Sequence, residues 1–223
     1  MKNIILQHFT GKLGELEIKS NQNIQKYAKY CGAEYRLVTG DLFHKGFTSP
    51  CQKLHMLSPI FDSYDNVVML DIDMFVRKGM QENIFDINGI GIFCDIQQDI
   101  KDNMISNFPH LCDKRYAYWG GAIYKLTKEQ RIKFRENINF FELSAFNNHY
   151  QDEGMMHRLA VLTKTKQKDT TLPDGYKWCH CSFRSDIQNA ALIHVRPKVT
   201  PTGPKREKIV NYRDLVLRDL IEE

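Results

Sequence analysis

Long hydrophobic runs are missing from this chain. None of its 223 residues lies in a stretch approaching the ~18–20 apolar positions that a membrane span needs. The opening Met1-Lys2-Asn3-Ile4-Ile5-Leu6-Gln7-His8-Phe9 is too short in its apolar part for a secretory signal, and Gln7 and His8 interrupt it. It reads as a first strand, and the expectation is a cytoplasmic, soluble protein of bacterial or viral type. A disulfide framework is also lacking. The six cysteines (Cys31, Cys51, Cys94, Cys112, Cys179, Cys181) are scattered through a chain large enough to bury its own core, so they read as reduced thiols. Cys179-His180-Cys181 has no second Cys/His pair at zinc spacing. Nor is there a strong excess of one charge: 31 Lys and Arg stand against 27 Asp and Glu, for a net of +4. Without a Lys/Arg stripe this argues against nucleic acid, while a mild positive excess suits a small anionic ligand. Repeats, low-complexity segments and an interdomain linker are absent, which leaves a single domain over residues 1–223.

What is present is an alternation of strand and helix. Residues 4–9 form a strand, and Thr10-Gly11-Lys12-Leu13-Gly14 a turn. Ile24, Tyr27, Ala28 and Cys31 mark a helix that Gly32 stops, and residues 34–38 a second strand. Ser49-Pro50 has the pattern of an N-cap followed by proline, opening a helix with Leu54, Leu57 and Phe61 on one side and a break at Pro59. Beyond residue 76 the reading is a strand at Gly89–Cys94, an irregular loop or lid at Asp95–Lys114, and a strand at Ala122-Ile123-Tyr124. Thr127 with Gln130 makes a capping box for a helix reaching about Asn137. A helix from about Asp152 buries Met155, Met156, Leu159 and Leu162, and Pro173-Asp174-Gly175 turns the chain. Residues 190–195 read as a late strand, 196–208 as a Pro- and Lys-rich segment, and 211–223 as an amphipathic helix on Leu215, Leu217 and Leu220 or their neighbours. The expected class is α/β, a Rossmann-like, mostly parallel sheet flanked by helices.

The most informative stretch is Val67-Val68-Met69-Leu70-Asp71-Ile72-Asp73-Met74-Phe75-Val76. It reads as one strand buried on both faces and ending at the sheet rim, where open α/β folds hold ligands. Alternation along a strand points Asp71 and Asp73 the same way and turns Ile72 to the other face. Two converging carboxylates repel unless a cation lies between them. The plainer alternative is that both aspartates cap a turn.

The stretch resembles the corresponding region of glycogenin and other family 8 glycosyltransferases, in which a Lys-Leu helix (here Gln52-Lys53-Leu54-His55) precedes an apolar strand ending in an Asp-x-Asp metal motif. Trp119-Gly120-Gly121-Ala122-Ile123 is similar to the family's acceptor-side segment, Gln151-Asp152 to its Asp-Gln pair, and Ile193-His194-Val195 with Lys198 to its late histidine strand and lysine. Plant-type xylosyl- and galactosyltransferases and transferase domains of large algal viruses share much of the pattern. The departures are Trp119-Gly120 for Asn-Ser, the reversed order Gln151-Asp152, and Arg196-Pro197-Lys198 in place of a glycine-rich segment.

The resemblance implies the A-type glycosyltransferase fold, with a nucleotide-sugar half at about 1–76, an acceptor half at about 77–200 and a C-terminal helix at about 205–223. It implies a metal, Mn²⁺ or else Mg²⁺, held by Asp71, Asp73 and His194, a set whose hard oxygens and single imidazole suit either ion. It assigns donor binding to Thr10, Lys12, Lys53, Ile72 and Lys198, and substrate binding to Trp119, Gly120, Gly121 and Gln151. Asp152 becomes the catalytic carboxylate, a general base if configuration inverts and a stabiliser or nucleophile if it is retained, with Glu153 as a substitute. The implied activity is transfer of a hexose or pentose from a nucleotide-diphosphate donor, a UDP-sugar first, to a glycan, protein or small-molecule hydroxyl. On the residues alone each position has a structural alternative: a core histidine at 194, surface lysines at 53 and 198, a core tryptophan at 119, an ordinary turn at 10–12 and a helix N-cap at 152. Two other functions stand beside transfer. One is a haloacid-dehalogenase-like phosphohydrolase, which also places Asp-x-Asp after an apolar strand. The other is a non-catalytic nucleotide- or sugar-binding relative.

Overall fold

Two small sheets, joined by the carboxylate stretch, organise the chain. The computed structural model describes residues 1–87, 98–116, 118, 120–166, 178–200 and 202–222. Asn3–Phe9 (β1) is the centre of a four-stranded sheet, paired in parallel with Glu34–Thr39 (β2) on one side and Asn66–Asp71 (β3) on the other. Ile123–Thr127 (β5) adds antiparallel to β3, giving the order β2-β1-β3-β5. Met74–Val76 (β4) belongs to a second sheet with His180–Cys181 (β6) and Leu192–His194 (β7), in the order β4-β7-β6.

The single strand expected over 67–76 is therefore two, and this is the main correction to the sequence reading. β3 ends at Asp71, Ile72 and Asp73 turn, and β4 starts at Met74 in the other sheet. Backbone bonds show the change of partners: Asp71 N–H donates to Ala122 O at 2.9 Å, whereas Asp73 O accepts from Val195 N–H at 3.0 Å. The apolar residues on either side, 67–70 and 74–75, carry no mark of such a transfer, because both sheets bury them.

Side-chain alternation sorts the core into layers. Ile4, Leu6, Val67, Met69, Tyr124 and Leu126 face one way, toward Phe134, Met155 and Leu159 of two helices, Lys128–Glu136 (α3) and Gln151–Thr163 (α5), between which the chain makes the short helix Phe140–Leu143 (α4). Ile5, Val68, Leu70 and Ile123 face the other, toward Ile24 and Tyr27 of the helix Glu15–Tyr30 (α1) and toward Met74 and Leu192 of the second sheet. A third cluster packs Phe75, Ile193 and Val195 on Tyr212 and Leu215 of the C-terminal helix Lys208–Leu217 (α6).

The helix signals hold with local exceptions. Gly32, at φ +64°, takes the left-handed conformation that ends α1. Thr127 and Gln130 form the expected reciprocal cap of α3. Ser49–Leu57 is a 3₁₀ rather than an α-helix, with Thr48 and not Ser49 in the cap position. Ser58 before Pro59 is extended, as the proline ring requires, so the segment breaks there. The loop expected across 95–114 contains a helix, Gln98–Asn107 (α2), anchored by buried Met104. Leu162 and Leu217 are exposed rather than buried. The expected strand at 89–94, Trp119 and the turn at 173–175 lie outside the described residues. The five described cysteines are free.

Candidate active site

The end of β3, the start of β4 and the end of β7 meet at a cavity of about 550 Å³. Asp71, Asp73 and His194 each offer one ligand atom to it, and these atoms lie within 4.8 Å of one another. His194 Nε2 is 3.2 Å from Asp73 Oδ1 and 3.7 Å from Asp71 Oδ2. The convergence expected from strand alternation arises differently: the Ile72–Asp73 turn brings Asp73 beside Asp71, and antiparallel pairing of Met74 with His194 brings up the imidazole. The set fits a hard divalent ion, with two carboxylate oxygens and one imidazole nitrogen.

The other oxygen of each carboxylate belongs to a lysine. Lys53 Nζ is 2.6 Å from Asp71 Oδ1, and Lys208 Nζ pairs with Asp73 Oδ2. Lys53 comes from the buried 3₁₀ segment and is itself 5 % exposed. It also meets Asp152 Oδ2 at 2.7 Å and donates to Gly121 O. Burial works against its charge, but Asp152 and Asp71 outweigh burial and hold its pKa above the ordinary lysine value.

Burial alone would raise Asp73, yet His194 and Lys208 hold its carboxyl well below the usual range. For His194 burial disfavours the charged ring, and Asp73 with Asp71 reverses that, raising it. Asp152 moves the opposite way: burial pushes it up to about 7, opposed by Lys53 and reinforced by Glu153 and Asp71. The two partners thus shift unequally because Lys53 faces two carboxylates, whereas Asp152 faces one ammonium and two like charges.

Asp152 is not the N-cap. Tyr150 holds that position in the left-handed region at φ 50°, with Gln151 at φ 47° after it, and Asp152 is the second residue of α5. Non-glycine residues in this conformation carry strain, here beside the cavity they line. The Asp152 carboxylate points inward and accepts from Tyr124 Oη at 2.7 Å. Glu153 accepts from Gly121 N–H at 2.8 Å and from Tyr118 Oη. Gly121 makes this possible: a Cβ there would sit 2.9 Å from Asp152 Oδ2 and 3.0 Å from Glu153 Cγ. Gly121 therefore lets both carboxylates lie against its backbone.

Of the remaining sequence candidates, Ile72, Gly120, Gly121 and Gln151 line the cavity. Gln151 Oε1 accepts from Thr48 Oγ1 at 3.2 Å. Thr10 and Lys12 fall just beyond the wall, where His8 and Phe9 stand instead. Lys198 is also outside it, in an isolated bridge with Lys205. Sequence reasoning missed Lys208, Arg196 and Tyr118. Arg196 had a signal, since it lies two residues beyond His194 and so on the same side of an extended chain. Lys208 had none, standing 135 residues from Asp73 in a segment read as a connection.

No protein-family model matches the chain, and no curated protein matches its sequence. Solved structures do. A glycosyltransferase involved in the glycosylation of the major capsid of PBCV-1 aligns over 97% of this chain and 100% of its own, at 9% identity and TM-score 0.54. The galactosyltransferase LgtC, solved with donor and acceptor sugar analogs, aligns over 94% of both chains at 12% identity and TM-score 0.52. The apo bifunctional glycosyltransferase WbbM covers 92% of this chain with 46% of its own length, at 10% identity and TM-score 0.57. At such identities the likeness is one of fold, and the fold is the A-type fold of glycosyltransferases, in a single domain.

Proposed function

We propose that this chain is a metal-dependent glycosyltransferase that moves a sugar from a nucleotide-diphosphate donor, a UDP-sugar first, to an acceptor hydroxyl. One observation carries the reading: Asp71, Asp73 and His194 converge within 4.8 Å, in a cavity that also holds Lys53, Arg196 and Lys208. Carboxylates that would hold an ion and cations that would hold an anion stand in one wall, the arrangement that a metal-chelated diphosphate needs. The likeness of fold agrees with it and gives no support to the phosphohydrolase alternative.

Asp71, Asp73 and His194 would hold Mn²⁺, with Mg²⁺ as a substitute. Such an ion supplies charge neutralisation for the diphosphate as it leaves. The rest of the work falls to the chain. Lys53 holds Asp71 and Asp152 in fixed relation, and the two tyrosines fix the paired carboxylates of α5. Asp152, raised to about 7, is poised to take a proton from an acceptor hydroxyl or to hold charge near the sugar. Gly120, Gly121, Gln151 and Trp119 belong to the sugar and acceptor side of this proposal, and Ile72 to the donor side. The transferred sugar is a hexose or a pentose, and a substrate panel resolves which of them fits beside Tyr118 and Tyr150.

The test is a panel of nucleotide sugars with and without Mn²⁺, read by donor hydrolysis and by thermal shift. The proposal expects stabilisation by a nucleotide diphosphate that depends on the metal, and turnover of at least one donor. It fails if no nucleotide stabilises the protein in metal, or if Asp73→Asn leaves that stabilisation unchanged. Binding without turnover over a broad acceptor set would favour the non-catalytic relative.

A further inference from the structure

The metal-ligand carboxylates are arranged with an unexpected symmetry. Each directs one oxygen toward His194 and gives the other to a lysine: Asp71 to Lys53, Asp73 to Lys208. Lys53 is buried and shared with Asp152, so its place is set by the core. Lys208 differs. It is the first residue of α6, and its side chain is 43 % exposed while that of Asp73 is 6 % exposed. It reaches a nearly buried carboxylate from the rim of the cavity.

Its helix is seated for this. Asn211 donates to the carbonyl oxygens of Arg196 and Lys198, and Arg206 pairs with Asn211 and Asp214. Tyr212 stacks on Phe75 of β4 with ring centroids 4.9 Å apart. The start of α6 is thus fastened to the strands that carry Asp73 and His194. Arg196, on the same wall, has a buried Nε without an acceptor among the described residues. A buried guanidinium donor of this kind is costly unless an anion completes it.

Charge then makes a prediction about order. Among the described residues, four carboxylates line the cavity (Asp71, Asp73, Asp152, Glu153) against three cations (Lys53, Arg196, Lys208). With the histidines neutral and all four carboxylates ionised, a divalent ion turns a net −1 into a net +1. Beside the ion itself the balance is more positive, because each of its two carboxylates is already shared with an ammonium. The wall therefore offers a bare ion little net attraction and favours one that arrives with an anion.

We propose that Lys208 is a positioning residue that holds the outer oxygen of Asp73 and makes tight divalent-ion binding conditional on a diphosphate ligand, with Arg196 supplying the second cation for that ligand. The inference rests on the metal-and-diphosphate reading above and adds to it the residue that couples the two ligands. It places the late cation on α6 rather than at Lys198.

The test measures Mn²⁺ affinity from the spin-resonance signal of free Mn²⁺, without and with UDP as probe, for the wild type and for Lys208→Met and Lys208→Arg. In the wild type UDP should tighten Mn²⁺ binding strongly. Lys208→Met should bind Mn²⁺ alone about tenfold more tightly, the size expected of removing one unit charge a few ångströms away in water, and should lose a similar factor of the UDP enhancement. Lys208→Arg should keep the wild-type pattern, which a purely structural role for the side chain would not require. Far-ultraviolet circular dichroism and the melting point of each variant establish that it is folded. Should Lys208→Met bind Mn²⁺ alone no more tightly than the wild type, or should the Arg variant behave as the Met variant does, the coupling role is wrong while the metal site stands. A wild type that binds no Mn²⁺ even with UDP overturns the underlying reading, and this inference with it.

Discussion

Lys53 ties Asp71 to Asp152: its ammonium lies 2.6 Å from the first carboxylate and 2.7 Å from the second. The pair connects the end of β3 to the first turn of α5 through a side chain that is almost wholly buried. Removing the ammonium would leave Asp152, 3 % exposed, without its counter-charge. Lys53→Met should therefore cost ~3 kcal/mol or more of stability, as measured by urea unfolding. The double variant Lys53→Met/Asp152→Asn should recover much of the loss. A single variant as stable as the wild type would show that the ion pair is not what holds these elements.

Asp73→Asn removes one ligand charge and the partner of both His194 and Lys208. Metal-supported donor turnover should fall by about 100-fold or more, beyond the 10–100-fold typical of losing an outer partner of a metal ligand. Turnover assayed against Mn²⁺ concentration checks this, and a loss of less than tenfold at saturating metal counts against the assignment.

Gly121 and Gly154 separate activity from stability. An alanine Cβ at Gly121 would press on the Asp152 and Glu153 carboxylates at 2.9–3.0 Å, whereas at Gly154 it would meet Phe146 Cδ1 at 2.4 Å in the core. Gly154→Ala should lose about 1–3 kcal/mol of stability through overpacking. Gly121→Ala should lower turnover with a smaller change in melting temperature, because flexible carboxylates can move and their alignment is what suffers. Equal effects on both measurements in both variants would refute the distinction.

Lys125 provides a pH signature remote from the cavity. It is 2 % exposed on β5 and donates to Ile84 O and Ile87 O, each at 2.8 Å. Burial pushes its pKa down from 10.5 to about 8. A depressed folded value means that the folded state resists the proton the unfolded chain accepts. Its contribution is fully present above the unfolded value and is lost as pH falls through the folded one. The stability of the wild type relative to Lys125→Met should thus rise between about pH 8 and pH 10.5, by at most about 3 kcal/mol. Denaturation of both proteins across that interval checks the sign, and a flat or falling difference contradicts it.

How much of this was legible before the structure depends on the range of the interaction. α3 could be read because Thr127 and Gln130 cap it locally. β1 and β3 could be read because strands buried on both faces carry apolar runs, here residues 4–6 and 67–70. The meeting of His194 with Asp71 and Asp73 was accessible only because His194 resembles a known pattern, since spacing gives no reason to join residues so far apart. What escaped was tertiary. The division of 67–76 between two sheets is decided by hydrogen-bond partners, Ala122 on one side and Val195 on the other. The pairing of Lys208 with Asp73 needs α6 to fold back over β4, which no local preference encodes. Lys198, assigned to the donor through the resemblance, does not line the cavity.

The turn at Ile72–Asp73 also has a mechanical meaning. Asp71 ends a strand of one sheet, while Asp73 leads into the other and His194 ends that sheet's central strand. An ion bound by all three would be a cross-brace between two independently hydrogen-bonded halves. Ligand loading would then stiffen the turn that joins the smaller sheet and its helix to the larger sheet.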